Sequence, residues 1–311
     1  MTNYLKTIYN FFEKERHLIA ASIARIGLGS VISLYYLLHV FQRHYYWGPN
    51  GVYPFEDFKE GISMSGSFSL YQLSESIIYF DTIFFIGACV AILYTIGFQP
   101  RVTGIINFIF IWSLYERNQF VLDGGNNILI ICLFFLLFAN VGAYFSFTKS
   151  KKSNNRFIAA LHNVSIAACV IQISILYFFS GFFKAQGDMW ANGISLYYIL
   201  QVNEFTLPGI GEFIYSNPLL LTLGTLSTIV IQLAFPFLII HTSTRWIIVM
   251  VMVMFHLGII VLMGLFSFGF TMIILDLLVL NDNHYRRFYS LLQRLLNKLK
   301  LRTTVMVEDA S

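Results

Sequence analysis

The sequence predicts an all-α, polytopic membrane helical bundle with about eight transmembrane helices. Three observations indicate this: 57% of the 311 residues are hydrophobic, the mean hydropathy is +0.68, and apolar runs of near-membrane length recur along the chain. Only 12% of the side chains are charged, against about 25% in an average soluble domain. A run of about 20 apolar residues is what an α-helix needs to cross a bilayer.

The first 17 residues carry charges of both signs and have no small-residue cleavage site. They are therefore predicted to be a cytoplasmic segment rather than a signal peptide. A transmembrane domain follows at residues 18–281, and a cytoplasmic tail at residues 282–311. The membrane helices of the domain are predicted at residues 18–41, 77–97, 102–115, 127–148, 157–183, 217–240, 245–264 and 266–280.

The distribution of charge predicts the orientation of the bundle. Fifteen of the 20 Lys and Arg residues fall in segments on the side of the N-terminus, four fall on the other side, and Arg25 lies within the first helix. Cytoplasmic loops of membrane proteins collect Lys and Arg. Both termini are therefore predicted to be cytoplasmic, in a multi-pass protein of the bacterial plasma membrane.

The tail "YRRFYSLLQRLLNKLKLR" alternates leucine pairs with basic residues at helical spacing. Such a segment is typical of an amphipathic helix that lies on an anionic membrane surface. A helix that binds a partner protein is the alternative interpretation.

Several classes of function are excluded by what the chain contains. The net charge of +4 follows from the basic cytoplasmic loops, so no nucleic-acid partner is expected. The three cysteines, Cys89, Cys132 and Cys169, are isolated within apolar runs, which predicts neither a zinc site nor a disulfide. The motifs GxSxG, HExxH and GxGxxG and the P-loop do not occur.

One outer loop, within "WSLYERNQFVLDGGNN", is unusually polar. It contains Glu116, Arg117, Asp123, Asn126 and Asn127. One interpretation is an ion pair of Arg117 with an acid, together with a cap on the following helix. The other is a polar outer cavity with a function. No further carboxylate follows "DGGNN" at the spacing of a calcium loop, so no metal site is predicted.

A second polar stretch, "YFFSGFFKAQGDMW", ends the fifth predicted helix. Lys184 follows an apolar run, and Asp188 and Trp190 come within six residues of it. A terminal lysine commonly anchors a helix at the membrane surface, and a tryptophan fits the interfacial aromatic belt. The alternative is a desolvated amine that acts as a base or proton carrier.

Polar side chains within the predicted helices form a third group of candidates, because an ionisable group is costly inside the bilayer. Arg25 and Asp276 are near enough to helix ends to extend to the membrane surface. His256 has roughly ten apolar residues on either side, and is predicted either to bond between helices or to transfer protons. The group comprises Arg25, Asn140, Gln172, Gln232, His256 and Asp276.

Four segments in order resemble the HTTM family, whose membrane domain is shared with vitamin K-dependent gamma-carboxylase. They are "ARIGLGSVISLYYL", "YERNQFVLDGGNN", "IQISILYFFSGFFKAQGDMWANGISLYYIL" and "FHLGIIVLMGLFSFGFTMIILDLLVL". The resemblance spans about residues 18–285. Bacterial chains of this length are similar to the SdpB type, which implies maturation of a secreted peptide toxin together with a small partner protein.

The resemblance to the carboxylase also implies a role for one residue. There, a lysine in a G-x-x-K step deprotonates vitamin K hydroquinone, and "GFFK" places Lys184 at the matching position. This chain differs by one extra residue between lysine and tryptophan, by Asn127 where the enzyme has a histidine, and by the lack of the large domain that binds propeptide. These differences weigh against gamma-carboxylation, since function does not follow from fold alone.

Three hypotheses remain open at this point. The chain is expected to act in maturation of a secreted peptide at the outer face, with Lys184 and His256 as candidate catalytic residues. Alternatively it is a gamma-carboxylase-like membrane enzyme that uses a quinone from the bilayer. The third is a non-catalytic peptide-binding, immunity or scaffold protein.

Overall fold

A computed structural model describes residues 13–202, 206 and 209–308. Most of the predicted N-terminal segment and the loop residue Pro208 therefore lie outside the described residues. The principal helices run as α1 Leu18–Leu38, α2 Ile77–Ile96, α3 Pro100–Arg117, α4 Gly124–Leu136, α5 Arg156–Gln186, α6 Pro218–Leu238, α7 Thr242–Met263, α8 Phe266–Leu278 and α9 Asp282–Glu308.

The prediction of an all-α membrane protein is confirmed, and the described residues contain no strand. Five helices, α1, α2, α5, α6 and α7, are long and apolar enough to cross a membrane. α8 passes the same test only together with the start of α9, across a bend of 103°. α3 carries three charged residues, and α4 has only 13 residues. The predicted count of eight spans is therefore not confirmed.

α1 is the central helix of the bundle. In its most apolar part 61% of the residues are buried, against 28–33% in the other four long helices. Small residues are frequent in it: Ala20, Ala21 and Ala24 are all buried, and the helix contains two glycines. Small residues let neighbouring helix backbones approach closely, and a β-carbon at Gly29 would lie only 2.5 Å from the Thr95 hydroxyl of α2.

The segments that are rich in Lys and Arg come together at one end of the bundle, here called the basic end. It comprises residues 13–17, 97–101, 139–156, 239–245 and 279–287. His17 bonds through Nδ1 to the Leu280 carbonyl at 3.0 Å, and Asp282 accepts the peptide N–H of Ile19 at 2.9 Å. Burial lowers the pKa of His17, which favours its neutral ring.

The fourth predicted helix, residues 127–148, is much shorter than expected. α4 ends at Leu136, and Asn140 lies in the loop that follows rather than in a helix. Its peptide N–H donates to His162 Nδ1 at 2.9 Å, and its side-chain amide donates to Glu15 at 3.0 Å. His162 of α5 and Arg25 of α1, which donates to the Val141 and Phe145 carbonyls, therefore bond the backbone of this loop in place of helical partners.

The opposite end of the bundle, here called the loop end, holds residues 39–76, 118–123, 187–202 and 209–217. Short helices at Arg43–Trp47 and Phe55–Ser65 pack there around Trp47 and Phe58, both 1% exposed. The Trp112 indole donates to the Phe68 carbonyl at 3.0 Å. Lys184 lies at the last turn of α5 on this end.

Candidate functional site

Lys184 does not extend freely away from the bundle. Its Nζ donates to Ser180 Oγ at 2.6 Å and to Gln232 Oε1 of α6 at 3.2 Å. The amine also lies 5.3 Å from the centre of the Trp190 ring, within the range of a cation–π contact. The side chain is thus half-buried and held by three neighbours, whereas Asp188 is exposed.

Deeper in the bundle, three polar side chains from three helices meet. Tyr177 Oη of α5 lies 2.7 Å from His256 Nε2 of α7 and donates to Asp276 Oδ1 of α8 at 2.8 Å. The side chains of His256 and Asp276 are 1% and 0% exposed. Phe235 packs edge-on against the Tyr177 ring, and Phe268 against His256. These three polar residues are called the Tyr–His–Asp cluster.

The donors and acceptors of the cluster are consistent with one directed chain. A phenol has a single proton, so a tyrosine that donates to Asp276 accepts from His256, with the imidazole proton on Nε2. Two buried atoms, His256 Nδ1 and Asp276 Oδ2, have no hydrogen-bond partner in the described structure. Such groups cost about 1–3 kcal/mol each, and ionisable groups within an apolar bundle are candidates for a functional role.

Lys184 and the cluster lie on one face of α5. Tyr177, Ser180, Gly181 and Lys184 follow the spacing i, i+3, i+4 and i+7, which puts them on the same side of a helix. Seven residues correspond to about 10 Å along the axis. Gln232 of α6 faces these residues, because it accepts a hydrogen bond from Lys184. It lies about one turn before Phe235, which packs against Tyr177.

The polar loop before α4 has a capping role. Asp123 Oδ1 accepts the Asn126 N–H and Asn126 Oδ1 accepts the Asp123 N–H, both at 2.9 Å. Asn126 also donates to the Tyr115 hydroxyl at 2.8 Å. Asp123, Glu116 and Asn127 line a cavity of about 440 Å³ at the loop end. The loop thus combines a helix cap with an open polar pocket.

The two buried arginines are held by backbone carbonyls. Arg117 donates to the carbonyls of Gly48 at 2.7 Å and Tyr53 at 2.9 Å, and lies 4.6 Å from the Phe58 ring centre. No ion pair of Arg117 with an acid occurs among the described residues, so that part of the interpretation is wrong, whereas the predicted helix cap is present. Arg25 is 0% exposed, so its guanidinium does not reach water, in contrast to the expectation of a side chain that extends to the membrane surface.

The remaining predicted residues are not brought to one place. Gln172 is half-buried on a different face of α5 from Tyr177, because five residues turn a helix by about 140°. Asp276 is fully buried rather than extended to the surface. No group of His, Cys, Asp or Glu in the described part of the chain has the arrangement of a metal site.

Sequence reasoning missed Tyr177, which joins His256 to Asp276. Its signal was its position seven residues before Lys184, together with the polar groups of two later helices. A single sequence does not state which helices are neighbours, so this three-helix contact required the structure.

Comparisons with known proteins agree with the helical architecture. The HTTM domain is matched over residues 22–283. The uncharacterized protein YitO of Bacillus subtilis (strain 168) is 25% identical over 214 residues, 66% of this chain and 68% of YitO. Sporulation-delaying protein SdpB of the same strain is 26% identical over 146 residues, 46% of this chain and 45% of SdpB. No solved structure matches. This chain belongs to the HTTM domain family.

Proposed function

We propose that this membrane protein acts in the maturation of an exported peptide, at a site formed by Lys184, Gln232 and Trp190 on the outer face. Its partners would be the lipid bilayer, the peptide precursor and a small partner protein. The distant similarity to a sporulation-delaying protein supports a role of this class.

The environment of Lys184 is the observation that carries the proposal. A lysine that only anchors a helix directs its amine to water or to lipid head groups. This amine instead bends back onto Ser180 and across to Gln232. Two of its three N–H groups are occupied, which leaves the third for a carbonyl or carboxylate of a bound peptide.

The Tyr–His–Asp cluster supplies a reason to expect chemistry rather than binding alone. One ring nitrogen of His256 bonds to Tyr177, and the other has no hydrogen-bond partner in the described structure. A histidine arranged in this way within an apolar bundle can hold or pass a proton. This observation favours the second candidate, a membrane enzyme that uses a quinone or performs a carboxylase-like reaction. In that case Lys184 would be the base and the cluster a proton-holding group below it.

The test compares the intact masses of secreted peptides from four isogenic strains. One carries the wild-type chain, one lacks it, one carries Lys184→Ala, and one carries Lys59→Ala. Lys59 is an exposed lysine of the same loop end and serves as the matched control. A mature peptide should disappear or change mass in the strain without the chain and with Lys184→Ala, and remain with Lys59→Ala.

The kind of mass change distinguishes the two candidates. A difference of one CO2 supports carboxylation, and a loss of two hydrogens indicates disulfide formation. Identical peptides in all four strains overturn the maturation role and leave the non-catalytic hypothesis. If the peptide changes in the strain without the chain but not with Lys184→Ala, the chain acts in maturation and Lys184 has no part in the mechanism. Immunoblots of the membrane fraction verify equal protein levels.

A further inference from the structure

One large cavity in the described structure includes neither Lys184 nor the Tyr–His–Asp cluster. It is a groove of about 620 Å³ between α5 and α6 that runs towards the basic end. Its walls are mostly apolar and include Ala167, Val170, Ile171, Phe178, Pro236 and Phe237. Along α5 the groove extends from Asn163 to Phe179, which is about 24 Å of helix.

The shape of the groove follows from two residues. At Gly181 the helices are in contact, since a β-carbon there would lie 3.0–3.1 Å from side-chain and backbone atoms of Leu233 and Gln232. Further along, Pro236 lies inside α6, where proline removes one helical hydrogen bond and disturbs the backbone. α5 and α6 thus meet near the loop end and enclose the groove towards the basic end.

The groove is apolar along its length and cationic at one end. Two arginines, Arg16 and Arg245, line that end together with His17, whose pKa is lowered by burial so that a neutral ring is favoured. The backbone of Arg16 is fixed by Asn163 and His162, which bond its N–H at 2.9 Å and its carbonyl at 2.6 Å. Its side chain is exposed.

Arg245 is also fixed, because its Nε donates to the Ile239 carbonyl at 2.7 Å and a terminal nitrogen donates to Ile240 at 3.4 Å. A guanidinium has five N–H donors, so several remain for an anion. Asp282 is the nearby carboxylate, but it accepts the N–H groups of Leu18 and Ile19 and does not line the groove.

We propose that this groove binds an anionic phospholipid, with an acyl chain against α5 and α6 and the phosphate between Arg16 and Arg245. An apolar channel of this length holds most of a tail within a hydrocarbon core of about 30 Å. Basic pockets between membrane helices recognise anionic head groups. The charge at the mouth distinguishes this groove from an ordinary lipid-facing surface, which has no preference for head-group charge.

The test is a fluorescence titration of the purified full-length chain in detergent. The two probes are phosphatidylglycerol and phosphatidylcholine that carry the same labelled acyl chain. The charge variant combines Arg16→Gln with Arg245→Gln, and its control is Arg101→Gln, an exposed arginine of the basic end outside the groove. Ala167→Phe fills the groove, and its control is Val164→Phe on an exposed position of the same helix.

Phosphatidylglycerol should bind the wild-type chain more tightly than phosphatidylcholine. Each arginine is expected to contribute about fivefold, so the charge variant should lose about 25-fold in affinity for phosphatidylglycerol and nothing for phosphatidylcholine. Ala167→Phe should weaken the binding of both lipids, and the two control variants should bind both lipids as the wild-type chain does.

Equal affinity of the wild-type chain for the two lipids would overturn the proposal. So would unchanged binding of phosphatidylglycerol to the charge variant, or equal effects of Ala167→Phe and Val164→Phe. Circular dichroism verifies that each variant is folded. If the charge variant fails this check, the groove-filling pair and the comparison of head groups still decide the outcome.

Discussion

Arg25 shows how this bundle accommodates a buried cation without an acidic partner. Its guanidinium donates to the carbonyls of Tyr94 at 3.0 Å, Thr95 at 2.7 Å, Val141 at 3.1 Å and Phe145 at 2.7 Å. These carbonyls belong to the end of α2 and to the loop after α4. The Tyr94 carbonyl also accepts the Gly97 N–H, so Arg25 is needed chiefly as the donor to the carbonyls of Thr95, Val141 and Phe145.

Replacement of this side chain should destabilise the protein strongly. Arg25→Gln removes the charged donor and leaves at least one of these three carbonyls without any donor, so we expect the free energy of unfolding to fall by about 3 kcal/mol. Thermal unfolding in detergent measures the effect, with the exposed Arg101→Gln as control. Equal unfolding temperatures of the two variants would contradict the structural role assigned to Arg25.

At the residue scale, the sequence indicated which side chains were unusual but not what they contact. Lys184, His256 and Arg25 stood out because a charged or ionisable group is rare in an apolar run. Their partners, Gln232, Tyr177 and four carbonyls, come from segments distant in the chain. Tertiary packing determines these contacts, and no local pattern encodes it.

At the scale of the element, the contact between α5 and α6 determines the geometry of both the lysine site and the groove. Gly181 faces α6 close to Gln232, whose side-chain oxygen accepts a hydrogen bond from the Lys184 amine. The absence of a side chain at this position lets the helices approach closely. The same contact fixes the register of the two helices, which places Gln232 opposite Lys184 and Phe235 against Tyr177.

A methyl group at this contact should separate the helices. Gly181→Ala forces Leu233 and Gln232 to move, so we expect a net destabilisation of about 1–2 kcal/mol and a weaker contact of Lys184 with Gln232. The matched control is Gly258→Ala, because a β-carbon at that helical position meets nothing within 4 Å. Alanine there should be neutral or stabilising, by up to about 1 kcal/mol. Thermal unfolding of the two variants measures the difference, and equal destabilisation would contradict the packing argument.

Helix positions were largely predictable from hydropathy, because apolar runs and their polar boundaries coincide with α1, α2, α5, α6 and α7. α4 is the exception. The residues after Leu136 remain apolar enough to look like a continued helix, yet Arg25 and His162 bond the backbone of this segment as a loop. Those bonds are non-local, so the sequence pattern did not contain the information.

At the scale of the whole molecule, the bundle separates charge between its two ends. The basic segments, far apart in the chain, gather at the basic end, and the acidic loops with Lys184 gather at the other. The bend of 103° between α8 and α9 directs the basic tail helix away from the axis of α8. This arrangement supports a cytoplasmic basic end, by the positive-inside preference.

This orientation predicts the outcome of a labelling experiment in intact cells. In a variant whose three native cysteines are replaced by serine, Met64→Cys at the loop end should react with a membrane-impermeant thiol reagent. Asn154→Cys at the basic end should react only after the membrane is opened. Both positions are exposed in the structure, so accessibility within the protein is matched. Labelling of Asn154→Cys in intact cells would show that the basic end faces outwards and contradict the proposed orientation.

The shortness of two neighbouring helices has a consequence for the surrounding membrane. α4 and α8 have 13 residues each, and Gly125 brings them so close that a β-carbon there would lie 2.8 Å from the Phe268 backbone. Thirteen residues span about 20 Å, whereas the hydrocarbon core measures about 30 Å. Helices of this length reach across the core only where the bilayer is thinner, so we expect local thinning on this flank. A thinned bilayer shortens the path from the aqueous phase to Asp276, which lies on α8 itself.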